Sequence, residues 1–149
     1  MDKNLGLAEI NHFIDRAEAK RLIDNFQESQ YELVNPNLVR AQKEYGVLPT
    51  WEAFNEKSIL AILAQPGCEG IRIHYGLKKE DKSGEIVPMM VAVIVGVDKE
   101  GNSMWGAAAV TKPVAKMQVM ATERGGENDG VILEDSQRCP PYGDTSPMP

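Results

Sequence analysis

Apolar residues recur along this chain with two different periods, and the change of period divides it. Ala19, Leu22, Ile23 and Phe26 lie three or four apart, and Asp15, Arg16, Glu18, Lys20, Arg21 and Asp24 take the opposite side. That spacing predicts an amphipathic helix docked on a core. Asp15 stands where a cap is needed, and Glu18 three positions on completes a capping-box-like pair. A second helix is predicted after Asn55, with Phe54 and Ile59 as a hydrophobic staple. Its buried side would be Ile59, Leu60, Ile62 and Leu63, and Pro66-Gly67 would stop it.

From Cys68 the period becomes two. Ile71, Ile73 and Tyr75 alternate with Gly70, Arg72 and His74. This is the pattern of a strand buried on one face. "GLKKEDKSGE" reads as a polar loop around Gly84, and "IVPMMVAVIVGV" as a central strand with Pro88 near its start. "DKEGNS" is a turn that leads to a hairpin partner through Met104 and Trp105.

The remaining stretches are less regular. "GLAEINHF" fits a short strand or a helix lead-in. Residues 27–50 are polar, broken by Pro36 and Pro49, with room for two helical turns ending at Gly46; they read as the site of a variable insertion. "AAAVTKPVAKMQVMAT" at 107–122 suits either helix or strand, interrupted by Pro113. "VIL" at 131–133 offers a short strand, and the end is expected to be mobile. The fold class is therefore α+β: N-terminal helices packed on a mainly antiparallel sheet, with an irregular acidic C-terminal tail. The expected organisation is a single domain over 1–124 and a Gly/Pro-rich tail over 125–149.

Composition narrows the classes. The chain has 149 residues, 42% hydrophobic and 26% charged, as expected for a globular domain. No run approaches the ~18 apolar residues of a membrane span. The first residues lack the basic and apolar regions of a secretory signal, so the expected compartment is the cytoplasm. Net charge is −6. Much of the excess lies in 123–149, where six acidic residues face only Arg124 and Arg138. That distribution argues against nucleic-acid binding. Two cysteines 71 positions apart are no disulfide framework and read as free thiols.

Most candidate chemistry fails on spacing. Cys68 and His74 on one strand would lie about 20 Å apart, too far for nucleophile and base. His12, Cys68, His74 and Cys139 lack metal-ligand spacing, so no metal and no cofactor is expected. The turn at 98–103 lacks the ligand alternation of a calcium loop. "GGENDG" has no Lys-Ser/Thr after it, and there is no G-x-S-x-G. What survives is Arg72 and His74, neighbours on one strand face within about 7 Å, a pair suited to a carboxylate or phosphate. Met89, Met90, Met104, Met117 and Met120 cluster with Trp105 in the sheet half, as adaptable core filling or as a soft contact surface.

"FNEKSILAILAQPGCEGIRIHYGL", "VGVDKEGN" and "CPPY" together resemble a group of small bacterial proteins of uncharacterised function. The resemblance spans roughly residues 14–142, and its specific part is 54–76, with the G-C-x-G-I-R-I run. The group's terminal motif tends to read C-P-P-Y-C. Gly143 follows Tyr142 here, so the chain lacks the paired cysteine that a metal or redox role would need. The resemblance implies a compact α+β domain with a distinct tail and carries no activity.

The first expectation is thus a non-enzymatic interaction module that binds another protein or itself as a homodimer, through a sheet face marked by Met89, Met104 and Trp105. The alternative is a small-anion binder or enzyme with a pocket around Arg72 and His74.

Overall fold

The structure, a computed structural model, describes residues 6–106 and 130–141. The undecided stretch 107–122, with Met117 and Met120, lies outside the described residues, as does the chain end beyond 141. The described chain is α+β, with helices α1 (Arg16–Ser29), α2 (Val39–Tyr45) and α3 (Glu56–Leu63). Strands β2 (Gly70–Lys82) and β3 (Glu85–Val97) pair in one sheet, and β1 (Trp51–Ala53) pairs antiparallel with β4 (Gln137–Cys139) in another.

Contacts gather into two compact units interleaved along the sequence. The first holds Met1–Asn11, Phe54–Tyr75 and Ala92–Asp135; the second holds His12–Ala53, Gly76–Val91 and Ser136–Pro149. Backbone pairing reaches into residues 130–141: Leu133 bridges Ile94, and Gln137–Cys139 pairs with β1. Cys139 is fully buried.

β2 and β3 are continuous strands that pass through both units. The polar loop expected from Gly76 is strand as far as Lys82, because the alternation simply continues with polar residues. Only Ser83 and Gly84 make the turn, both at positive φ (56° and 90°). Two central residues at φ > 0 give the turn whose twist suits a hairpin. The Asp81 carboxylate accepts from the Gly84 N–H at 2.7 Å.

In the second unit Asp15 caps α1 by accepting from Glu18 N–H at 2.8 Å. The Glu18 carboxylate accepts two bonds from Arg21. The expected docked stripe does not form: no α1 residue is buried, and Leu22 and Ile23 are exposed. Residues 27–50, read as an insertion site, carry core instead. Ala41, Val47, Val87 and Met89 form a buried cluster, with Val34, Leu38 and Tyr45 packed against it. Here α2 lies on β3. The buried Gln42 amide is fully used: its N–H group donates to Gln30 Oε1 and Leu48 O, and its oxygen accepts from Leu48 N–H. Such satisfaction is what makes a buried polar group tolerable. Gly46 ends α2 at φ 65°, where a Cβ would meet the Pro140 ring at 2.5 Å.

In the first unit Asn55 caps α3, accepting from Ser58 N–H at 2.8 Å. Ala61 and Ile62 are the buried pair, whereas Leu60 and Leu63 are exposed. With only eight residues, the helix turns a narrower stripe inward than its four apolar side chains suggest. Beyond it, Cys68 Sγ, Gln65 Nε2 and Met104 Sδ crowd Gly96, each 3.0–3.1 Å from where a Cβ would stand. The C-terminal end of β3 is thereby sealed, with Ile94, Val95 and Val97 buried.

Candidate functional site

The site begins with the turn at 98–103. Asp98 N–H donates to Asn102 O, Gly101 N–H to Asp98 O, and Asn102 N–H to the Asp98 carboxylate. Gly101 takes φ 84°, which only glycine adopts at no steric cost. The closed turn folds Ser103 back beside Val97 and lets Met104 N–H reach Gly96 O at 2.9 Å. The expected hairpin partner is present as this short return.

Two side chains of β2 meet that return. Arg72 donates through Nη1 to Ser103 Oγ at 2.9 Å and through Nη2 to Gly101 O at 2.7 Å. His74 Nε2 lies 3.2 Å from the same Ser103 oxygen. The Trp105 ring sits beside the imidazole, centroids 4.9 Å apart and tilted by 42°. Arg72, His74 and Ser103 are half-buried, and Trp105 is exposed. Ser103 therefore bridges the two residues that the strand alternation singled out, while Trp105 flanks one of them.

Ser103 was not among the sequence candidates. Its signal was the turn: once Asp98–Gly101 closes, residue 103 must return alongside Val97. The partner of His74 is this hydroxyl and not Cys68, whose Sγ donates to Gly70 O at 3.1 Å. Neither cysteine is in a disulfide. Among the described residues no group of three or more His, Cys, Asp or Glu side chains gathers to hold a metal.

Met89 is buried in the second unit's core, so it belongs to packing. Met104 is half-buried against Gly96 in the first unit, and Trp105 flanks His74. The opposite face of β2 supplies an apolar surface. Ile71, Ile73, Tyr75 and Leu77 are 40%, 46%, 70% and 63% exposed. The alternation was legible, but its sense is reversed: the face with Arg72 and His74 is the more covered one.

A different arginine marks the second unit. Arg138 on β4 donates from Nη2 to Met90 O at 2.7 Å and Val47 O at 3.3 Å, and from Nη1 toward Met89 Sδ at 3.7 Å. Burial pushes its pKa down, opposed by the charges of Glu52 and Glu80. No helix among the described residues is long and apolar enough to cross a membrane. No protein-family model, curated protein or solved structure matches this chain.

Proposed function

We propose that this protein is a non-enzymatic self-association module whose β2 strand packs its outward apolar row against the same row of a second copy. The observation that carries this reading is the row itself: Ile71, Ile73 and Tyr75 follow one another on one face of a single strand within the first unit, all exposed. Scattered exposed apolar residues are ordinary, but a contiguous row of three marks a contact surface. A two-fold arrangement uses one self-complementary patch twice, and β2 carries such a patch. Cys68 and Cys139, neither in a disulfide, suit a reducing compartment such as the cytoplasm.

Light scattering behind size exclusion tests the reading. The wild-type chain should run above its 16.4 kDa monomer mass at about 100 μM, and Ile73→Glu should return it to the monomer. A wild-type monomer at that concentration, or an Ile73→Glu variant that stays associated, overturns it.

A further inference from the structure

We infer that Arg72, His74 and Ser103 form a binding site for a phosphate group, carried as the free ion or as a monoester. The argument starts from charge. The chain is acidic overall, yet among the described residues Arg72 has no carboxylate partner: its two bonds go to a hydroxyl and a backbone carbonyl. The acids of the neighbouring turn are engaged elsewhere, Asp98 with Asn102 N–H and Glu100 with Lys99. An arginine placed only to hold the turn would be more cheaply neutralised by one of them. A guanidinium has five N–H donors, and among the described residues Arg72 uses two of them. His74 keeps Nδ1 without a partner among the described residues, because its one polar contact is through Nε2.

The geometry gives the ligand class. A planar fork and an imidazole nitrogen stand 2.9 and 3.2 Å from one hydroxyl oxygen, Ser103 Oγ. A tetrahedral oxyanion presents oxygens in several directions, to the fork and to the one donor that the Ser103–His74 pair leaves over, whereas a flat carboxylate engages the fork alone. Ser103 holds the two β2 side chains together before a ligand arrives, which lowers the ordering cost of binding. The site is half-buried, so the interaction is less screened than at a fully exposed pair.

The test is titration of the full chain with inorganic phosphate, and separately with methyl phosphate, at constant ionic strength, followed by NMR of the Trp105 indole and His74 ring. Saturable shifts in the millimolar range are expected with both probes, and weaker ones with acetate. Tighter binding of methyl phosphate would assign a monoester as the ligand, and equal or tighter binding of inorganic phosphate the free ion. Arg72→Met should abolish the shifts, and Arg72→Lys should keep the charge but bind about tenfold more weakly. A melting curve for each variant separates lost binding from lost fold. The inference fails if no saturation appears by about 50 mM phosphate, if acetate binds as well, or if folded Arg72→Lys and Arg72→Met respond like wild type. Ile73→Glu should bind phosphate unchanged, so this outcome is independent of self-association.

Discussion

Arg72 and Arg138 are the same side chain set to different work. Each donates to backbone carbonyls and fixes a short piece of chain far away in sequence. Arg72 holds an exposed turn, shares a hydroxyl with His74 and keeps donors to spare. Arg138 reaches the carbonyls of Val47 and Met90 beside a buried cluster, and its Nε is buried with no partner among the described residues. The lesson is that donor number alone does not mark a binding residue. What separates the two is what they hold: Arg72 ties an exposed turn to His74 through a shared hydroxyl, whereas Arg138 ties carbonyls beside a buried cluster.

The comparison can be broken at its strongest point first. Arg138→Met should lower the unfolding free energy by about 3 kcal/mol, because two carbonyls beside the core lose a charged donor together. Denaturant titration measures this; a loss below about 0.5 kcal/mol would make Arg138 an ordinary surface residue. Arg72→Ala should cost about 1 kcal/mol, since its acceptors can turn to water. If it proves as costly as Arg138→Met, the turn is as much core as the second unit.

The smallest effect is expected at Glu80, near Arg138 on β2. A hydrogen bond from Lys82, 2.8 Å away, holds its carboxyl below the ordinary value, against a modest burial penalty. A depressed carboxylate stabilises the fold above its unfolded pKa, so this contribution should fade as pH falls below about 4.5. Both side chains are partly exposed, which limits the effect to about 0.3 kcal/mol. Comparing wild type with Glu80→Gln across that range, at low and high salt, shows whether the difference closes as expected.

Local signals were the legible ones. Asp15 and Asn55 cap where they were read to cap, Gly46 and Pro66-Gly67 end helices, and Gly84 turns the hairpin, because each acts through its nearest backbone. The faces of β2 were legible as a pair, and Arg72 and His74 do share one. What could not be read was which face the rest of the chain covers, since that depends on residues far away. The same limit hid Ser103, which meets Arg72 across 31 positions. It hid Arg138, whose partners lie 48 and 91 positions upstream in a segment taken for a tail. The packing of Met89 against Ala41, Val47 and Val87 depends in the same way on distant residues.

The pairing of Trp51 with Cys139 sets an order of events during synthesis. β1 leaves the ribosome well before β4. At about 5–20 residues per second, β1 waits on the order of ten seconds for its partner. The second unit therefore cannot complete before Gln137–Cys139 has been made, and until then the backbone of Trp51–Ala53 stands without its β4 partner.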